Sequence, residues 1–179
     1  MKSKHILLCG ERGVGKSTLI QKLLKANTRS VYGFLTKRLA PDETGMHPVY
    51  LYPAAAKTLE NTQSNRIGAG DSKVYSVSNE VFNTLGAQYI RQARPGGIIV
   101  MDELGFMEAK AETFVKTVFE ALDGEIPVIA AVKARYDVLF LNEVRAHPNG
   151  HVYNIDAENR DALYEALLPT IRLLNERKD

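Results

Sequence analysis

The chain has 179 residues, 45% hydrophobic and 25% charged, a balance that suits one α/β domain with a sizeable core and excludes a disordered or fibrous polypeptide. A net charge of +2, with no basic block beyond Lys2, Lys4 and His5, argues against nucleic acid as the main partner, and no apolar run approaches membrane-spanning length. The single cysteine, Cys9, excludes an internal disulfide and fits a reducing compartment, so the cytoplasm is the expected location.

The first apolar run, KHILLC (residues 4–9), suits a buried strand. GERGVGKST follows at residues 10–18 with the spacing G-x-x-x-x-G-K-[ST], the P-loop pattern. Gly10, Gly13 and Gly15 lack a Cβ, so the chain can turn tightly around an anion. From Gly10 through Glu11, Arg12, Gly13, Val14 and Gly15, the loop's N–H groups turn inward as a nest for phosphates. Lys16 reaches the β- and γ-phosphates, the Ser17 hydroxyl ligates Mg²⁺, and Thr18 faces the α-phosphate. Leu19, Ile20, Leu23 and Leu24 share one helical face over residues 17–26. The loop thus lies between a strand and a helix, whose positive N-terminal end favours an anion.

Residues 31–37 read as a strand, 39–48 as a turn and 49–54 as the returning strand of an antiparallel hairpin. Residues 54–73 are polar and glycine-containing and read as a surface loop, with a lid over the site as the alternative. A helix is predicted over 79–93, with Val81, Phe82, Leu85, Tyr89 and Ile90 inward. A buried strand follows over 96–103, then a helix over 108–122 with a Phe114, Val115, Val118, Phe119 and Leu122 stripe. Residues 126–132 read as another buried strand, 137–146 as a helix and 151–155 as the last strand. The final helix is expected to start near Asp156, a good N-cap. Strands apolar on both faces, alternating with helices, predict a mostly parallel central sheet with helices on both faces, a three-layer α/β fold.

Asp102 closes the apolar strand in IIVMDELG (98–105), the Walker B arrangement, where its carboxylate holds Mg²⁺ beside Ser17. Glu103 is then the residue that points toward the γ-phosphate and orients or deprotonates a water. The same stretch fits the D-x-x-G of switch GTPases, whose glycine, here Gly105, senses the γ-phosphate; the companion N-K-x-D for guanine is absent. Arg38 and Arg135, with Arg12 behind them, are candidate charge-neutralising arginines. His5, His47, His147 and His151 show no metal-ligand spacing and read as surface or packing residues.

Taken in order, GERGVGKSTLI, GFLTKR, IIVMDELGFME, VIAAV and VYNIDAENR make the chain resemble the small P-loop nucleoside-triphosphatases, the family that includes the cancer-related nucleoside-triphosphatase. The resemblance covers most of the chain and is weakest over 39–75. The chain departs from the family pattern at Lys37 and Arg38, where an acidic pair is expected, and at Phe106, where a lysine is common. The resemblance implies a P-loop fold and Mg²⁺-dependent hydrolysis of ATP, GTP and other triphosphates to the diphosphate and phosphate. It also implies a base pocket at Asn154, Asn159 or Arg160; the alternative is that Asp156 and Asn159 only start a helix. The competing function is a small P-loop kinase passing the γ-phosphoryl group to a nucleoside or other small acceptor. The expected state is a monomer.

Overall fold

The structure is a computed structural model that describes residues 4–71 and 75–176. Strands β1 (His5–Gly10), β2 (Ser30–Arg38), β3 (His47–Pro53), β4 (Arg66–Gly70), β5 (Tyr75–Val77), β6 (Gly97–Leu104), β7 (Val128–Lys133) and β8 (Gly150–Asn154) form one sheet. Their order is β5-β4-β3-β2-β6-β7-β1-β8. The five strands from β2 to β8 are parallel, and β3, β4 and β5 extend the β2 edge as an antiparallel ribbon.

The apolar runs dictate this layering. Side chains alternate across a strand, so a run apolar at every position must be covered twice. In β1, Ile6 and Leu8 join the cluster under helices α1 (Lys16–Lys25) and α6 (Arg160–Glu176), while Leu7 joins the opposite one. In β6, Ile98 and Val100 face the first cluster and Ile99 and Met101 the second. The second cluster is roofed by Phe82 and Ile90, by α4 (Glu112–Asp123) and by α5 (Leu139–Arg145). Phe114 lies at its centre, 5.4 Å from the Phe34 ring and 5.2 Å from Phe82. The mostly parallel sheet with helices on both faces is therefore as expected.

Four segments differ from the sequence reading. Residues 54–71 are not one surface loop, positions 72 and 73 lying outside the described residues: Gln63–Asn65 form a 3₁₀ turn and Arg66–Gly70 the strand β4, with Ile67 and Ala69 buried. RIGAG offers a single large apolar side chain, so period-two alternation does not show. The helix expected over 79–93 is α2 (Asn79–Val81), a π-helical turn at Phe82–Gly86 and α3 (Ala87–Arg91). The helix expected from residue 108 begins at Glu112, because Glu108 closes the preceding turn onto the Gly105 N–H. The final helix likewise begins at Arg160, not Asp156.

Cys9 is a free, buried core residue. His5 is buried as well: Nε2 donates to Leu122 O at 2.8 Å and Nδ1 accepts the Val128 N–H at 3.1 Å. Burial lowers its pKa, so the neutral ring ties β1 to the end of α4 and the start of β7. No helix among the described residues is long and apolar enough to cross a membrane.

Candidate active site

β1 delivers the P-loop to the carboxyl edge of the sheet, where ligands bind in open α/β folds. A Cβ on Gly10 would collide with Ile155 O, because the chain leaving β8 passes directly over the loop. Gly15 caps α1 at φ 106°, a left-handed conformation that a side chain resists. A Cβ there would also lie 2.7 Å from Arg160 Cδ, so the Arg160 side chain runs across the end of the loop. Lys16 is 4% exposed and curls back over the loop, donating to Gly10 O at 2.7 Å and Glu11 O at 2.8 Å.

β6 brings its acids to the same edge. Ser17 Oγ donates to Asp102 Oδ1 at 2.8 Å, and Lys16 Nζ lies 3.2 Å from Glu103 Oε2. The Asp102–Glu103 peptide is cis. Thr36 on β2 brackets it at 3.4 Å on either side, donating to Asp102 O and accepting the Glu103 N–H. Burial raises the Asp102 carboxyl to about 6, with Glu103 pushing the same way and Ser17 and Lys16 opposing. Burial likewise raises the Glu108 carboxyl, which accepts the Gly105 N–H, to about 7. That contact engages the Gly105 N–H within the protein.

The sequence reading missed Lys133. It ends β7 in register with Gly10, and its Nζ lies 3.3 Å from Glu103 Oε1, so Glu103 is held between two lysines. The Lys133 stem passes over Gly105, where a Cβ would meet its Cδ at 3.2 Å, and Nζ sits 5.3 Å above the Phe106 ring. Phe106, which replaces a lysine in the pattern the chain resembles, thus seats a lysine supplied by another strand. VIAAVK gives no warning of this, since a lysine at a strand end usually meets only water.

The candidate arginines separate. Arg135 is held by both oxygens of Asp137, at 2.8 and 2.7 Å, and stacks 5.2 Å from Phe106. Arg38 donates to Gly70 O at 3.1 Å from the exposed end of β2. Arg12 is exposed on the loop. Beyond β8, Asp156 Oδ1 accepts the Glu158 and Asn159 N–H groups, and Asn159 Oδ1 accepts the Asp156 N–H at 3.0 Å. Asn159 Nδ2 donates to Asn154 O. Asp156 and Asn159 therefore build the turn before α6, and of the base-pocket candidates Arg160 is the one that reaches the P-loop.

Ser17 and Asp102 set two hard oxygen donors side by side, a donor chemistry that fits a small divalent cation such as Mg²⁺. Around them a cavity of about 280 Å³ takes in Arg12, Gly13, Gly15, Lys16, Thr18 and Glu103.

Residues 5–168 match the sequence profile of the NTPase family. The nucleoside-triphosphatase THEP1 of Methanocaldococcus jannaschii is 32% identical over 173 residues, covering 93% of this chain and 96% of its own. The crystal structure of THEP1 from Aquifex aeolicus superposes with a TM-score of 0.75 at 24% identity, over 97% of this chain and 99% of that one. The solution structure of a human cancer-related nucleoside triphosphatase gives 0.68 at 26% identity, over 98% and 100%.

Proposed function

The chain belongs to this NTPase family, and on that premise we propose that it hydrolyses nucleoside triphosphates, ATP and GTP among them, to the diphosphate and phosphate. One observation carries the reading: the Ser17–Asp102 and Lys16–Glu103 contacts, at 2.8 and 3.2 Å, meet at the mouth of the P-loop. The reading also makes the protein a cytoplasmic monomer acting on free nucleotides, with no nucleic acid or membrane partner.

Lys16 exchanges the Gly10 and Glu11 carbonyls for β- and γ-phosphate oxygens, and the loop amides hold the rest of the chain of phosphates. Mg²⁺, held by Ser17 and Asp102, would draw charge from the phosphates. Once Lys16 turns to the nucleotide, Glu103 has a carboxylate oxygen free to orient the attacking water. Lys133 is then the cation next to the γ-phosphate, in the part that an arginine finger plays elsewhere. The test is phosphate release from Mg·ATP and Mg·GTP. Release without an acceptor is expected; turnover that starts only when a nucleoside or nucleoside monophosphate is added would replace hydrolysis with the kinase reading.

Lys133→Ala should lower kcat by about 10²–10³, the usual loss when one preorganised group that stabilises developing charge is removed. Stopped assays at saturating Mg·ATP measure it, with Lys133→Arg expected to recover part of the rate. An unchanged kcat in Lys133→Ala would show that Lys133 only braces Glu103.

Base discrimination should be weak. No N-K-x-D is present, and Asn159 is engaged by the Asp156 N–H and Asn154 O. A site built to bond one base's polar groups rejects the other strongly, since those groups then go unpaired. The kcat/KM values for ATP and GTP should therefore agree within roughly tenfold, about 1.4 kcal/mol. A thousandfold preference for either base would contradict this.

A further inference from the structure

A second cavity, of about 310 Å³, shares Arg12, Thr36 and Glu103 with the P-loop cavity but none of Lys16, Ser17 or Thr18. It opens on the Glu103–Lys133 side, where the nucleophile approaches the γ-phosphate. A water takes up about 30 Å³ of liquid, so this space is roughly ten times what hydrolysis needs. Its walls are also wrong for a pool of water. Val49 and Met107 line it with Ile67 and Phe82 behind, so part of the lining offers water no hydrogen bond. The antiparallel ribbon supplies Val49 and Ile67, so the extension of the sheet builds this wall.

The polar groups are arranged differently from those of the P-loop. Glu103 is held between two lysines, and the Arg135 guanidinium by Asp137. Arg38, at the rim, gives one N–H to Gly70 O, and among the described residues no carboxylate pairs with it. Its remaining donors are a fork for a carboxylate or phosphate. Phe106, braced edge-on by Tyr75 at 5.2 Å, offers a ring at the same mouth.

We propose that this cavity binds a second small molecule, with a flat apolar ring against Phe106, Ile67 and Met107 and an anionic group on Arg38. The occupant displaces the water at Glu103 and slows phosphate release. The proposal rests on the P-loop being the triphosphate site.

Naphthyl phosphate, a flat ring bearing one phosphate, serves as the probe. The protein is first loaded with Mg²⁺ and a non-hydrolysable ATP analogue, so that the probe cannot occupy the P-loop. Methionine methyl resonances are then followed by NMR during the titration. Met107 should shift saturably while Met46, in the β2–β3 turn, stays still. Arg38→Ala, an exposed change that spares the fold, should weaken binding at least about tenfold, the loss expected for one charge-assisted hydrogen bond. In a parallel assay without the analogue, phosphate release from ATP should fall as the probe saturates. A Met107 resonance unmoved at millimolar probe, or unchanged binding in Arg38→Ala, would overturn the second site. If the parent still released phosphate from ATP, hydrolysis at the P-loop would stand. Failure of the parent to bind ATP would overturn the premise and the second site together.

Discussion

Glu103→Gln should bind Mg·ATP about as tightly as the parent and hydrolyse it about 10²–10⁴ times more slowly, the usual worth of a positioned general base. The substitution keeps the side chain's size and one acceptor oxygen but removes the charge that Lys16 and Lys133 share at 3.2 and 3.3 Å. Triphosphate binding does not need that charge, because Lys16, Ser17 and the loop amides remain. Asp102→Asn should behave differently: its partner is Ser17, so it should mainly raise the Mg²⁺ concentration required. Single-turnover phosphate release beside a binding titration separates the two variants. A parental rate in Glu103→Gln would move the water to another acid. Glu108 is the first to examine, although its carboxylate already accepts the Gly105 N–H. Loss of binding together with turnover would make Glu103 a structural residue.

Lys16→Ala should lose triphosphate binding by at least about 10², through the loss of charge-assisted hydrogen bonds to two phosphate groups, and its turnover should fall below detection. Lys16 is buried and its ammonium meets two carbonyls and one carboxylate, so no other described cation duplicates its position. Calorimetric titration with Mg·ATP measures the loss, and circular dichroism checks that the fold survives. Parental affinity in this variant would mean that the triphosphate binds elsewhere.

What could be read in the sequence was what is local. The P-loop announces itself because nine consecutive residues carry the whole phosphate nest, and Asp102 and Glu103 because they end an apolar run. That the sheet is mostly parallel and covered on both faces follows from runs apolar on both faces. Lys133 was invisible for the opposite reason: it enters the site through its register with Gly10, a pairing across 123 positions that no window contains. Arg160 is similar, since only the packing of α6 beside α1 brings it over Gly15. β4 was hidden by composition, as Gly68, Ala69 and Gly70 are buried but too small to mark a face. Asn159 shows a local signal with two meanings. Its spacing from Asp156 fits both a base pocket and a helix start, and hydrogen bonds with Asp156 in both directions decide for the second.

The position of β1 in the sheet governs when the site can exist during synthesis. β1 carries the P-loop, yet its neighbours are β7 and β8, from the far end of the chain. A ribosome that has released residues 5–38 has released both β1 and β2, but these two are separated in the sheet by β6 and β7. Until Val128–Lys133 emerges, β1 lacks the strand that pins it next to Glu103, and Ile155 N–H reaches Cys9 O only later still. Such long closures are slow, because loop entropy is lost before the contacts that offset it form. The antiparallel ribbon β2–β3–β4, whose partners adjoin in sequence, can pair first. A nascent chain therefore gains the wall beyond Glu103 before it gains a working phosphate site, and nucleotide capture waits for β7 and β8 to emerge.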